Sequence, residues 1–279
     1  MSRGLVYLLS SNFSGSHFLS LMLGSHSRFV HLGELKNLVK QSRLCAICGD
    51  AAACALVGEL DMRPGADLYA QIFRRLPDTV DLLVDASKKP DWFRARDRAS
   101  RHRVHRIHLL RDPRALARRW LLHFPEPGTQ RRERVKMLRR RPTAALQLLF
   151  GDMLEVYIRK WLRQNQEIST YLTRSGGPWT LVTYQEIARE PAAALARINA
   201  RLGHAFEPGQ QHYSQFSHHG TEKAEYQWVK QRQQNTYFDL RWQEFLSAEQ
   251  QRRITGHRAL RRYLDSLDLA FGDQGLVRR

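Results

Sequence analysis

The sequence contains no apolar run long enough to cross a bilayer, and its N-terminus lacks the hydrophobic core of a signal peptide. Acidic residues are scarce, because 27 Asp and Glu oppose 45 Lys and Arg, and the formal net charge at pH 7 is +18. We therefore expect a soluble, cytoplasmic protein whose partners carry negative charge, such as nucleic acid, a membrane surface or an anionic substrate. A basic surface that serves only solubility is the alternative.

Cysteine is also scarce, and the three cysteines, Cys45, Cys48 and Cys54, lie within ten residues of one another. An odd number of cysteines in a chain without a signal peptide argues against a disulfide framework. The spacing of Cys45 and Cys48 is typical of a zinc knuckle, and a fourth ligand would have to be a histidine such as His26 or His31. The simpler interpretation is that three free thiols pack together in a small loop.

The stretch from residue 5 to residue 34 organises the rest of the chain. Residues 5–9 are a short apolar run, which predicts a buried parallel strand, and apolar residues from Phe18 onward recur at helical spacing. Between them lies a loop of small polar residues whose backbone N–H groups converge with the helix N-terminus, a geometry that suits a phosphate. An ordinary serine-capped turn is the alternative, because the lysine of a Walker loop is absent.

Later segments alternate between predicted strands and helices. Short segments rich in Val, Leu and Ile predict strands at residues 80–84, 106–110 and 180–184. Helical patterns follow at residues 34–39, 69–76, 115–123, 146–172 and 191–202. Polar residues lie at the carboxyl ends of these strands, where ligands bind in open α/β sheets. The sequence therefore predicts an α/β fold with a central parallel sheet flanked by helices. It shows no internal repeat or linker, which predicts a single domain over residues 1–279.

A basic segment at about residues 125–145 interrupts this alternation. Two prolines and a glycine predict a loop at its start, and a polar tail, helical in parts, is predicted from residue 210 onward. The segment either forms a solvated helix face or binds an acceptor or a surface. Its cations are Arg131, Arg132, Arg134, Lys136, Arg139, Arg140 and Arg141.

Several motifs, taken in order, resemble those of the sulfotransferase family that uses 3′-phosphoadenosine 5′-phosphosulfate (PAPS), in its bacterial form. They are LGSHS at 23–27, GEL at 33–35, CAICG at 45–49 with Cys54, DASK at 85–88, LRDPR at 110–114, YQEI at 184–187 with Pro191 and LG at 202–203, HHG at 218–220 and DLRW at 239–242. The resemblance covers most of the chain and implies a P-loop-like sulfotransferase fold. It also implies transfer of a sulfuryl group from PAPS to a hydroxyl of a carbohydrate, lipid or small molecule. Acceptors that carry negative charge of their own are among those expected.

The same resemblance implies the residues that bind PAPS. The loop would hold the 5′-phosphosulfate through backbone N–H groups and hydroxyls, and Arg111 would hold the 3′-phosphate by bidentate guanidinium contacts. A salt bridge between Arg111 and Asp112, or another acid at a strand end, is the structural alternative for this arginine. The implied binding residues are Asn12, Phe13, Ser14, Gly15, Ser16, His17, Phe18, Arg111, Arg119 and Tyr184.

Two positions depart from the family pattern. Phe13 lies where the family has a lysine or arginine that steadies the leaving oxygen, so His17 or Lys88 would have to supply this charge. Arg119 replaces a family serine and could still meet the 3′-phosphate. Glu34 matches the family's candidate general base, and we expect desolvation to raise its pKa toward neutrality. A carboxylate that caps a helix or forms a salt bridge is the alternative for Glu34. A histidine of the loop is the fallback base.

Two other functions remain possible from the residues. A P-loop-like kinase would need the missing Walker lysine and an acidic magnesium ligand, for which Asp85 is the candidate. A polyanion- or nucleic-acid-binding protein on a catalytically retired sulfotransferase scaffold would explain the net charge and Phe13. We expect the enzyme, and we do not expect nucleic acid as its partner.

Overall fold

The computed structural model describes residues 3–38, 44–45, 47–50, 52–63, 65–140, 142–219, 221–222 and 238–279. In this part of the chain, five strands form a parallel sheet in the order β2-β4-β1-β5-β6. This sheet confirms the predicted fold class. Its strands are β1 (Gly4–Ser10), β2 (Phe29–His31), β4 (Leu82–Lys88), β5 (Arg103–Leu110) and β6 (Trp179–Thr183). Two antiparallel pairs lie outside it, namely β3 (Leu44–Cys45) with β7 (Thr221–Glu222), and β8 (Leu269–Gly272) with β9 (Gly275–Arg278).

Helices cover both faces of the sheet. In chain order they are α1 (Ser16–Gly24), α2 (Leu68–Phe73), α3 (Pro90–Asp97), α4 (Pro113–His123), α5 (Pro127–Arg140), α6 (Ala145–Phe150), α7 (Met153–Ser175), α8 (Tyr184–Arg189), α9 (Pro191–Leu202), α10 (Trp242–Phe245), α11 (Ala248–Gly256) and α12 (Arg258–Asp265). Among the described residues, no helix has the length and apolar content that a bilayer span requires.

The central strand β1 is buried along its whole length, as its continuous apolar run predicts. Alternate side chains of a strand point to opposite faces. Leu8 therefore packs into the core that includes Met22 of α1, whereas Tyr7 packs into the opposite core, where its ring stacks on Phe93 of α3 at 4.2 Å. These two cores hold the sheet between two layers of helices.

Several predicted boundaries are wrong. Residues 85–88 lie inside β4 rather than after it, and the predicted loop at Pro127 is the start of α5, where proline is tolerated because its missing N–H has no helical partner. The helix predicted over residues 146–172 is broken at residues 151–152. There the Asp152 side chain accepts a hydrogen bond from the Glu155 backbone N–H at 3.0 Å and starts α7 afresh.

Other differences come from short elements. The helix predicted after Glu34 is only a 3₁₀ turn, Leu35–Asn37, and Val39 lies outside the described residues, as do Arg141 and Gly220. Strand β2 has three residues and no apolar run to mark it. The hairpin of β8 and β9 lies in the tail, for which the sequence predicts helix in parts and no strand.

The order of the strands determines where a ligand-binding crevice opens at the carboxyl edge of the sheet. The chain leaves β1 for β2 on one side of the sheet and leaves β5 for β6 on the other side. The loops at the carboxyl ends of β1 and β5 therefore diverge, which opens a crevice between two neighbouring strands.

Candidate functional site

All five strands of the sheet bring a residue predicted from the sequence to the carboxyl edge. Ser14 lies in the loop after β1, Glu34 follows β2, and Lys88 ends β4. Arg111 follows β5, and Tyr184 follows β6 as the first residue of α8. Residues far apart in the sequence thus converge because the strands are parallel.

The loop between β1 and α1 has an unusual backbone at two positions. Phe13 has φ of 68° and Gly15 has φ of 92°, both in the left-handed region. At Gly15 a Cβ would lie 2.7 Å from Cδ2 of Tyr184, so only glycine fits the space as well as the dihedral angle. The loop is therefore packed against Tyr184 at the end of β6, and it leads directly into the N-terminus of α1, where the first helical N–H groups lack helical partners.

Ser14 provides a test of whether this loop suits an anion. Its side chain is 1% exposed, and within the described residues its hydroxyl has no hydrogen-bond partner. A buried hydroxyl without a partner costs on the order of 1–3 kcal/mol, which a bound acceptor group would recover. Ser16, also buried, begins α1 beside it. The loop thus fits a phosphate or sulfate oxygen.

We expect the substitution Gly15→Ala to abolish binding of a phosphate or sulfate group by this loop. The left-handed backbone alone costs a β-carbon about 1–2 kcal/mol, and the contact with Tyr184 adds to that cost. Nucleotide-dependent thermal stabilisation should disappear while the circular dichroism spectrum stays native. Gly176→Ala is the matched control, because Gly176 also has positive φ (64°) but a Cβ there meets open space. Equal nucleotide binding by Gly15→Ala and the control would contradict this role.

Arg111 joins the two sides of the crevice. Its Nη1 donates to the Phe13 carbonyl at 2.8 Å, its Nη2 pairs with Oδ2 of Asp239 at 2.8 Å, and its guanidinium lies 4.1 Å from the Tyr184 ring centre. Its buried Nε has no partner among the described residues. The expected alternative partner, Asp112, is instead bound by Arg114 at 2.8 Å. Burial opposes ionisation of Asp239, but Arg241 and Arg111 hold the pKa of this carboxyl below its usual range.

Phe13 and Arg119 depart from the family pattern and contact each other. The Arg119 guanidinium lies 4.9 Å from the centre of the Phe13 ring, and the His123 ring meets the same phenyl edge-on at 5.0 Å. A cation over an aromatic face is a favourable arrangement. The guanidinium of Arg119 on α4 thus brings a positive charge next to Phe13, at the position where the resemblance predicts a lysine or arginine.

Glu34 is bound by two lysines. Its carboxylate pairs with Nζ of Lys88 and, at 3.0 Å, with Nζ of Lys36. Burial opposes its ionisation, but the charges of Lys88 and then Lys36 outweigh burial and lower the pKa of Glu34 to about 2. The expected rise of this pKa is therefore wrong, because the sequence gives no sign that two ammonium groups would face the carboxylate. Lys88 itself has φ of 69°, so backbone strain is stored here.

Lys89 and Lys36 were not predicted as site residues. Burial, followed by the charges of Lys36 and Lys88, lowers the pKa of Lys89 to about 8. The pKa of Lys36 is lowered too, again by burial first. Three lysines therefore gather around the carboxylate of Glu34 at the ends of β2 and β4. Lys89 could have been predicted from the sequence, because two consecutive lysines, Lys88 and Lys89, follow a predicted buried strand.

Asp85 serves the core and is not placed to bind a metal. It is 1% exposed and accepts hydrogen bonds from the hydroxyls of Tyr69 (2.8 Å) and Ser87 (2.5 Å) and from Nε1 of Trp92 (2.9 Å). Burial raises the pKa of this carboxyl despite those donors. The kinase hypothesis therefore loses its magnesium ligand in addition to the Walker lysine.

The remaining loop residues lie on both sides of α1. Asn12 is exposed, and Phe18 packs on the core with its ring 5.5 Å from that of Tyr213. His17 is half-buried in the first turn of α1, with its ring edge-on to His31 at 5.4 Å. His17 thus packs against β2, the strand that Glu34 follows.

The histidines expected to complete a metal site with the cysteines are engaged elsewhere. Nε2 of His26 lies 3.1 Å from the Ala205 carbonyl oxygen, and Nδ1 of His31 lies 2.6 Å from the Ser20 hydroxyl. The histidine that lies beside Cys45, Cys48 and Cys54 is His219. It appears in the HHG motif, but the sequence gives it no spacing that links it to the cysteines.

The fold and the crevice define an α/β protein whose loop at the ends of its strands suits an anionic ligand. Two solved structures share this fold. The sulfotransferase domain from the curacin biosynthetic pathway matches 91% of this chain and 96% of its own, with a TM-score of 0.56 and 18% identity. The sulfotransferase domain from the Synechococcus PCC 7002 olefin synthase matches 76% of this chain and 78% of its own, with a TM-score of 0.51 and 18% identity. The chain therefore has the sulfotransferase fold. No protein-family model matches it, and no curated protein matches its sequence.

Proposed function

We propose that this protein transfers a sulfuryl group from PAPS to a hydroxyl of an acceptor. The observation that carries this proposal is the Ser14 hydroxyl, which is buried and has no partner in the described part of the chain, in a loop that Arg111 and Tyr184 contact. Sulfuryl transfer resembles phosphoryl transfer in needing positioning and positive charge more than covalent help. The crevice offers both.

The donor would be held from both sides of the crevice. Ser14, Gly15 and Ser16 would bind the 5′-phosphosulfate through hydroxyls and backbone N–H groups. Arg111 would bind the 3′-phosphate, and its Nε, which has no partner among the residues that the structure describes, would be available for a further contact. Arg119, exposed on α4 and lying over Phe13, would bring a second cation to the nucleotide.

Lys88 and its neighbours would stabilise the charge that develops on the leaving phosphate. The ion pair with Glu34 fixes the Lys88 ammonium, and the nearby Lys36 and Lys89 add to the positive potential. The same potential would favour an acceptor that carries negative charge of its own.

The pKa of Glu34, about 2, makes this carboxylate a weak proton acceptor at neutral pH. We therefore assign Glu34 to positioning Lys88 and assign the general base to His17, which packs against β2, the strand that precedes Glu34. The two roles predict different rates for release of 3′-phosphoadenosine 5′-phosphate (PAP) from PAPS in the presence of an acceptor. Glu34→Gln should lower the rate and leave part of it, because Lys36 and Lys89 still supply positive charge, whereas His17→Asn should remove nearly all turnover without weakening PAP binding.

Binding of the product nucleotide tests the proposal directly. PAP at a hundredfold excess over its dissociation constant should stabilise the fold by about 2.7 kcal/mol, seen as a rise in Tm. ATP and adenosine 5′-phosphosulfate, which lack the 3′-phosphate, are the matched controls and should shift Tm much less. Equal shifts with PAP and with ATP, or none with PAP, would reject the proposal.

A second function rests on α5. This helix exposes a groove lined by Gly128, Val135 and the cations Arg131, Arg132, Lys136, Arg139 and Arg140. Such a surface suits a polyanion, and on a retired scaffold it would be the functional site. Heparin or duplex DNA would then raise Tm in low salt while PAP would not, an outcome that favours this candidate over the enzyme.

A further inference from the structure

A cluster of three cysteines and one histidine lies outside the crevice. Cys45 lies in β3, and Cys48 and Cys54 lie in the loop that follows it. Strand β3 pairs with β7, with Cys45 opposite Thr221, and this pairing brings His219 against the cysteine loop. Two segments more than 160 residues apart thus meet at one point.

The distances within this cluster fit a tetrahedral metal site. Nδ1 of His219 lies 3.6 Å from Sγ of Cys45 and 3.5 Å from Sγ of both Cys48 and Cys54. All four ligand atoms lie within 4.8 Å of one another. With a zinc–sulfur bond of about 2.3 Å and a zinc–nitrogen bond of about 2.0–2.1 Å, a tetrahedron has a nitrogen–sulfur edge of about 3.6 Å. The three observed distances match this edge.

Hydrogen bonding alone does not explain the arrangement. A ring nitrogen carries either one proton or one lone pair, so Nδ1 of His219 can make a well-directed hydrogen bond to one sulfur and not to three. A cation at the centre would satisfy all four groups at once. The chemistry of three thiolates with one imidazole is that of a structural zinc site.

The local backbone around Cys45 also has the form of a zinc knuckle. The Cys48 backbone N–H donates to Sγ of Cys45 at 3.5 Å, and the Gly49 N–H donates to the Cys45 carbonyl at 2.9 Å. Gly49 has φ of 76°, which lets the chain turn back under the sulfurs. Amide donors to a ligating sulfur are the outer contacts that orient such ligands.

We propose that Cys45, Cys48, Cys54 and His219 bind one Zn²⁺ ion that joins the cysteine loop to β7. Four protein ligands leave no open position, so the site is structural rather than catalytic. The metal would also fix His218, whose Nε2 lies 3.2 Å from the Ser25 hydroxyl at the end of α1. It thereby supports the helix whose other end forms the crevice.

Metal analysis of the full chain tests the proposal. Protein purified without chelator should contain about one zinc per chain, and Co²⁺ in its place should show thiolate-to-cobalt absorption. A chelator should lower Tm in proportion to the zinc removed. His219→Ala should lose the metal, whereas His212→Ala, an exposed histidine of the same region, should keep it.

Where His219→Ala fails to fold, the variant Cys48→His decides the question. It keeps four ligands, so it should retain zinc while its cobalt absorption loses part of the thiolate intensity. Zinc-free protein with a Tm that a chelator does not change would overturn the proposal. A disulfide between any two of the three cysteines in freshly purified protein would overturn it as well.

Discussion

Replacing Arg111 by alanine should weaken PAP binding about 30- to 1,000-fold, which corresponds to about 2–4 kcal/mol for a charge-assisted contact to a desolvated phosphate. The effect should be large because Arg111 holds the loop through the Phe13 carbonyl in addition to any contact with nucleotide. Isothermal calorimetry with PAP measures it. Affinity equal to that of the wild type would leave Arg111 with a structural role alone.

The pair with Asp239 complicates this variant, and a second variant resolves it. Asp239 is 10% exposed in its side chain, so Arg111→Ala removes one of the two arginines that pair with this nearly buried carboxylate, leaves Arg241, and should lower Tm. Asp239→Asn keeps the guanidinium and weakens the pair. If Arg111 binds phosphate, Asp239→Asn should retain PAP affinity or gain it, whereas a purely structural pair would lower both affinities together.

The strands of the sheet could be predicted because burial on both faces leaves a local mark. β1 contains a continuous apolar run, and the predicted segment of β5 is rich in Ile and Leu; both segments fall within the observed strands. The order of polar residues after each strand then predicted the edge at which the site lies. Strand β2 was missed because three residues are too few for a periodic pattern.

The parts of the site that were missed depend on contacts between distant segments. Asp239 reaches Arg111 across 128 residues, and no local pattern marks such a partner. His219 reaches the cysteines in the same way. The pKa of Glu34 was predicted with the wrong sign because burial was foreseen and its two lysine partners were not. Electrostatic environments are set by tertiary neighbours, which the order of residues does not reveal.

Replacing Glu34 by glutamine should destabilise the fold at neutral pH by about 3 kcal/mol. The pKa of Glu34 falls from 4.5 to about 2 on folding, and each unit corresponds to about 1.36 kcal/mol. A pKa that is lower in the folded state contributes stability that is complete above pH 4.5 and is lost as the pH falls toward 2. The loss of stability in Glu34→Gln should therefore be nearly constant from pH 7 to about pH 5. It should shrink at lower pH, where a carboxyl group with an ordinary pKa takes up its proton.

Urea unfolding of both proteins across this pH range measures the deficit. Asp91→Asn is the matched control, because Asp91 is 91% exposed in its pair with Arg94 and surface pairs contribute about 0–1 kcal/mol. The PAP affinity of Glu34→Gln should stay within a few-fold of the wild-type value, which corresponds to a change of about 1 kcal/mol or less in binding free energy. Glu34 lies beside the lysines rather than in the loop that would hold the nucleotide. A deficit that does not change with pH would show that packing, and not the ion pairs with Lys88 and Lys36, makes Glu34 important. Loss of PAP binding in Glu34→Gln would instead show that Lys88 depends on Glu34 to hold the 5′-phosphate of the bound product as well as that of the transition state.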